Sequence, residues 1–207
     1  LNNYLKHGFQ NWGDDHAPEI NVSSVNRISV LKGSSGVRFG PEALGGAIIV
    51  EPDPMKLNQP YYFNSNFGYQ TNGRGRNFSI DTGKGYKNLG FNVGLSHIKI
   101  GDRHAPSYSL TNSGKEEKGF NIGLHYHLSN FDIKFYYSYV DVNLALLRSS
   151  IFHSGNAISR AISSEEPLFI RSFSFDINEP NQLVDHHLAK VNINWWYNEN
   201  YKLSFVF

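Results

Sequence analysis

The sequence predicts a mainly β protein whose larger, C-terminal part is a series of long antiparallel strands. Three observations predict it. Apolar and polar residues alternate with period two over several segments, which places alternate side chains on opposite faces of a strand. Several of these segments approach ten residues, longer than the usual globular strand of about 5–6 and close to the ~9–11 of a tilted strand crossing a membrane. The connections between them are short and long in alternation.

About seven strands are read in chain order. YYFNSNFGYQ and RNFSIDTG are the weaker two. In NLGFNVGLSH, Leu89, Phe91, Val93 and Leu95 alternate with Gly90, Asn92, Gly94 and Ser96. In GFNIGLHYHL, Phe120, Ile122, Leu124, Tyr126 and Leu128 alternate with Asn121, Gly123, His125 and His127. FDIKFYYSYV is the clearest, with Phe131, Ile133, Phe135, Tyr137 and Tyr139 on one face. HLAKVNINWW sets Ala189, Val191, Ile193 and Trp195 against Lys190, Asn192 and Asn194, and YKLSFVF repeats the theme. The polar faces suit a hydrated lumen and equally the solvent side of a soluble sheet.

Tight turns are expected at Lys84–Lys87, Ser129-Asn130 and Asn198–Asn200, and long polar segments at Ile100–Glu117 and Leu144–Leu183. Structureless loops above about 12–15 residues are uncommon in compact soluble domains. Short turns at one end and long loops at the other are the habit of outer-membrane barrels. Aromatics gather near the short turns: Tyr61, Tyr62, Phe63, Phe131, Trp195, Trp196, Tyr197 and Tyr201. They fit an interfacial girdle, whereas in a soluble sandwich they would be core.

Composition narrows the classes. The chain has 207 residues, 40% hydrophobic and 18% charged, with net charge +1. That charge supplies no global field for nucleic acid, so no nucleic-acid partner is expected. With no cysteine, disulfides, thiolate metal sites and thiol catalysis are excluded. No apolar run approaches the ~18–20 residues of a spanning helix. The mean hydropathy of −0.42 is neutral evidence, because barrel strands alternate. The chain opens on Leu1 and closes at Phe207 inside an alternating run, and is read as a piece of a longer protein.

Ahead of the strands, EPDPMKLNQP reads as a linker with three prolines. Before it stands VNRISVLKGSSGVRFGPEALGGAIIV. Its glycines match neither GxxxxGK[ST] nor GxGxxG, so no nucleotide cofactor is expected. No cofactor of another kind is indicated. Val30-Leu31 and Ile48–Val50 are read as short buried strands joined by glycine turns.

This stretch resembles the end of the plug domain of TonB-dependent outer-membrane receptors. That family's pattern runs approximately RIEVLKGP, a short variable piece, YG, a small-residue segment, and GGxINI. The resemblance rests on Arg27, Ile28, Val30, Leu31, Lys32, Gly33, Phe39, Gly40, Ala43, Gly45, Gly46 and Ile48, in order. Departures are Ser29 for the usual acid, Ser34 for proline, Phe39 for tyrosine and Ile49 where asparagine is common.

The resemblance implies that residues 1–56 form the C-terminal part of a small α/β plug domain. It implies that residues 57–207 form the first strands of a roughly 22-stranded antiparallel transmembrane β-barrel. It further implies an outer-membrane location in a Gram-negative bacterium, contact with outer-membrane lipid, and energising by TonB and an inner-membrane complex. The cargo it implies is a scarce nutrient, by default a ferric siderophore or other metal chelate, with cobalamin, haem or oligosaccharide as further possibilities. The segment before the motif would be an apical plug loop facing the ligand. Its His7, Phe9, Trp12, Asp14, Asp15 and His16 suit a bulky polar or chelated ligand; packing and turn roles suit the same residues. Lys32 would pair with barrel carboxylates.

His125 and His127 share a face, a spacing that can hold a metal, and Asp185-His186-His187 is a second group; histidines lining a wet lumen or rim are the preferred reading, because no third ligand can be placed from the sequence. Neither HExxH nor GxSxG is present, so no enzyme is expected. The rival readings are a soluble β-sandwich binding or adhesion module and a passive porin-like channel.

Overall fold

A computed structural model describes residues 3–4, 25–40, 43, 45–52, 55–148, 154–198 and 201–207. The protein is mainly β and its sheets are antiparallel. A small sheet orders β1 (Asn3–Tyr4), β3 (Gly46–Pro52) and β2 (Val25–Lys32) as β1-β3-β2. Between β2 and β3, residues Gly33–Phe39 wind into a 3-10 segment. A Cβ on Gly36 would lie 2.6 Å from the Ala43 carbonyl oxygen, so only glycine lets the turn fold back on itself. Gly46 enters β3 at φ 137°, a conformation that L side chains avoid.

The large sheet has seven strands: β4 (Tyr62–Gln70), β5 (Gly75–Gly85), β6 (Leu89–Ile100), β9 (Lys115–His127), β10 (Phe131–Ala145), β11 (Asn181–Asn198) and β12 (Tyr201–Val206). They pair as successive antiparallel neighbours, and a minor hairpin of β7 (Arg103–His104) and β8 (Ser109–Leu110) sits between β6 and β9. These seven are the segments that alternation predicts. β4 and β12 are the two edges of the sheet.

Register fixes which residues share a face. Leu124 lies between Phe91 and Phe135, and Ile122 between Val93 and Tyr137. Asn121 lies between Gly94 and Ser138. The apolar face is the exposed one: Leu95 is 51% exposed, Phe78 44% and Leu124 38%. The polar face is the buried one: Asn92 and Asn121 are 3% exposed, Ser96 and His125 8%. A soluble sheet buries its apolar face; here the relation is inverted, so the polar side is the inward one.

The crowding on the inward face explains its glycines. Asn92 stands opposite Gly123, Asn121 opposite Gly94, and Asn77 opposite Gly68. A Cβ on Gly94 or Gly123 would run into the facing carboxamide. Large and small residues therefore interdigitate across strands, as close packing requires.

From β5 onward the connections alternate in length as expected, whereas the β4–β5 connection, at the end of the long ones, is short. Leu128 and Phe131 exchange backbone hydrogen bonds of 2.7 and 3.2 Å around Ser129-Asn130, a two-residue hairpin loop. The long segments are shorter than read from sequence. β9 begins at Lys115, β10 runs to Ala145 and β11 starts at Asn181, because ladder pairing continues into polar residues that alternation does not mark. The loop after β10 contains α1 (Gly155–Ser163), capped where Ser154 Oγ accepts the Ala157 N–H. One expectation is corrected outright: Val30 is 60% exposed and Ile48 39%, since among the described residues nothing covers that face of the β2–β3 hairpin. Ile49 and Val50 are buried as expected.

The two long connections are stitched together by Asp102, 1% exposed. Its carboxylate accepts N–H bonds from Asn112 (2.9 Å), Ser113 (3.2 Å) and Ser174 (3.3 Å). Arg171 adds Nε at 3.0 Å and Nη2 at 3.4 Å. Asn112 extends the junction, donating to the Leu146 and Pro180 carbonyls and accepting the Asn178 N–H. Asp102→Ala strands several donors and the Arg171 charge. It is expected to destabilise this junction by about 2–3 kcal/mol, read as faster hydrogen exchange at the Asn112, Ser113 and Ser174 amides.

Candidate functional site

The best-defined polar site lies where the linker meets the inward face near the short-turn end of the sheet. Linker residues 55–59 lie against the wall. Met55 is buried, its carbonyl accepts from His125 Nδ1 at 2.9 Å, and His125 Nε2 lies 2.5 Å from Asp132 Oδ1. The His125 ring thus bridges the Met55 carbonyl and the Asp132 carboxylate. His127 Nδ1 (3.4 Å) and Lys134 Nζ (3.6 Å) approach the same carboxylate.

Two backbone bonds add to the seat. Asn58 N–H donates to the Tyr86 carbonyl and Gly85 N–H to the Gln59 carbonyl, both at 2.9 Å. Glycine makes the approach possible: a Cβ on Gly90 would lie 2.6 Å from the Lys56 carbonyl, and one on Gly123 2.6 Å from Met55 Sδ. The alternation that places Gly90 and Gly123 inward thus also opens the groove that the linker fills.

His125 and His127 do share a face, as their spacing predicts. Both His125 nitrogens are already engaged, and among the described residues no group of three or more His, Asp or Glu side chains is placed to hold a metal. The second group divides by parity. His187 joins Asp185 (Nε2–Oδ1 2.8 Å) and Tyr137 (2.7 Å) on the outward face, while His186 pairs with inward-facing Val140.

The apical residues His7, Phe9, Trp12, Asp14, Asp15 and His16 lie outside the described residues. In the motif, Arg27 pairs with Glu51 directly across β2–β3. Lys32 ends β2, exposed, with its carbonyl accepting from Ser35 Oγ. Gly33 (φ 60°) starts the 3-10 segment and Phe39 ends it. Gly40 (φ 120°) donates to the Val37 carbonyl, and Gly45 and Gly46 lead into β3.

The linker seat was missed in sequence reasoning. Its signal was available only in part, as glycines at alternate positions on the polar face. The Asp102 junction left no local signal, since Arg171 is 69 residues away. No protein-family model, curated protein or solved structure matches this chain.

Two outcomes are expected. Gly90→Val or His125→Phe displaces the linker, and loss of one such hydrogen bond alone corresponds to about a fivefold change; amide exchange at residues 56–59 should rise at least that much. The Arg27 guanidinium holds the Glu51 carboxyl below its ordinary value of 4.5. A depressed carboxyl stabilises above the unfolded-state value and loses that contribution as pH falls through the folded one. Protease resistance of the β2–β3 hairpin should therefore differ between wild type and Glu51→Gln at pH 7, and the difference should fade below about pH 4.5.

Proposed function

We propose that the chain is part of a TonB-dependent outer-membrane receptor that takes up a scarce nutrient. The observation that carries this reading is the inverted sheet. Seven paired strands turn Phe78, Leu95, Leu124 and Phe131 outward and enclose Asn92, Asn121, Glu117 and His125. An apolar exterior around a polar interior is what lipid outside and water inside require. The soluble sandwich would bury these apolar residues between sheets and is disfavoured for that reason. A passive pore is disfavoured by the plug-like motif of residues 25–50 and by the linker it sends to the wall.

On this reading β4 to β12 are the first staves of a barrel of about 22 strands, and β2, β3 and the 3-10 segment belong to the plug. The connections at 86–88 and 128–130 face the periplasm. The segments 101–114 and 171–180 face the cell exterior, where the Asp102 junction holds them as one structured mouth. Phe131 and Trp195, stacked at 5.8 Å with planes 5° apart, belong to the periplasmic aromatic girdle. Ligand binds from outside to plug and loop groups, His7, Phe9, Trp12, Asp14, Asp15 and His16 among them. TonB then pulls on the plug under proton-motive force, and the ligand passes. No covalent chemistry is needed. A ferric siderophore or other metal chelate is the substrate class proposed first.

Arginine at the bilayer midplane costs about 2–4 kcal/mol on a lipid-facing stave and much less in a lumen. In the full-length receptor, Leu124→Arg is therefore expected to abolish the heat-modifiable folded band in outer membranes, while Asn66→Arg, at an open position of the inward face, retains it. Equal behaviour of the two variants refutes the barrel. Growth of a knockout strain on single iron or cobalamin sources, with and without functional TonB, identifies the cargo; rescue independent of TonB refutes active uptake.

A further inference from the structure

The outward face is apolar over most of its area but changes abruptly at the long-connection end of three strands. Arg76 (β5), Lys99 (β6) and Glu116 (β9) stand side by side in register. In the adjoining outward row, His97 lies opposite Lys118. Glu116 is central: its carboxylate lies 3.1 Å from His97 Nε2, 3.5 Å from Lys99 Nζ and 3.8 Å from Lys118 Nζ. On β5, β6 and β9, one carboxylate against Arg76, Lys99 and Lys118 leaves two positive charges even with the imidazole neutral, and Asp141 of β10 stands opposite Lys118. The lysines remain open to the surroundings, Lys99 at 44% and Lys118 at 61%.

Three features give the patch direction. It is bounded on one side by outward Asp141 (β10) and Asp185 (β11), which continue the row of His97 and Lys118, so the positive field is confined to β5, β6 and β9. It runs straight into apolar surface, with Phe78 beside His97 and with Ile80, Leu95 and Phe120 forming the next outward row. The opposite end of the same face carries Tyr126, Phe131 and Trp195, with Lys84 standing apart from them on β5. A soluble anion would gain nothing from the apolar row. A lipid gains from both, its phosphate on the cations and its acyl chains on the row below.

We propose that Arg76, His97, Lys99 and Lys118 seat the phosphate of a membrane lipid in the outward-facing leaflet. Arg76 contributes a planar fork suited to phosphate oxygens and the lysines contribute point charges. Glu116 holds the two ammonium groups and the imidazole around one point, so the cationic cluster is organised before lipid arrives. The proposal rests on the barrel reading, because only a barrel brings this face to a bilayer.

The test uses the full-length receptor extracted in mild detergent and incubated with lipopolysaccharide, intact or stripped of its lipid phosphates. Bound lipid is counted by native mass spectrometry. Each basic residue near a charged headgroup contributes roughly fivefold. The triple variant Arg76→Ala, Lys99→Ala, Lys118→Ala is expected to retain at least tenfold less phosphorylated lipid than wild type. Lys84→Ala, on the same outward face toward the other end, retains the wild-type amount. Loss of the phosphates from the lipid should weaken binding to wild type but not to the triple variant. Equal retention by wild type and triple variant, with the heat-modifiable band intact, overturns the lipid seat alone. Displacement of the lipid by millimolar inorganic phosphate identifies a free-anion site and overturns it too. A wild-type chain that never enters the membrane overturns the barrel reading and the lipid seat together.

Discussion

Unbroken in-register pairing from β4 to β11 is the constraint on which the rest depends. In a strand, neighbouring residues face opposite ways, and a one-residue slip would exchange the two faces completely. Because β5, β6, β9 and β10 pair without a bulge, a residue's parity decides its surroundings across the whole sheet. Leu124 and Asn121 are three residues apart and live on different sides of the wall. The inverted burial, the interdigitated Asn–Gly pairs and the collar of cations are all consequences of one registration.

The same registration builds the seat for the linker. The inward positions of β5, β6 and β9 near the short turns include Gly85, Gly90 and Gly123, which leave a groove in an otherwise crowded face. The linker fills it, and its backbone polar groups are met by Tyr86, Gly85 and His125. Backbone groups brought against a wall need partners, so the groove and the bonds go together. In the proposed receptor this is where plug and barrel are joined, close to where pulling force would arrive. At the other end the Asp102 junction does a parallel task for the long connections. It concentrates five N–H contacts on one carboxylate and turns two loops into one body.

How far these features could be read beforehand follows from the range of the interactions. The seven strands were legible, because alternation is written in each segment separately. So was the Ser129-Asn130 turn, which needs only its two neighbours. Strand ends were not: Lys115 and Asn181 are polar, and only the partner strand extends the ladder to them. Val30 was read as buried from its apolar neighbours, yet burial needs a covering surface, and none stands there among the described residues. Asp185-His186-His187 read as one cluster until the pleat separated its members.

The sequence by itself determined the period, number and order of the strands, the position of the linker, and the motif that resembles a receptor plug. These depend on nearest-neighbour chemistry and spacing. Which face of the sheet is inward was decided only by the tertiary structure. Asn, Gly, Ser and His opposite an apolar stripe suit a lumen and a solvent-exposed surface alike. Register and the linker's arrival at Met55 choose between them, because burial is a property of the assembled sheet and of no single strand.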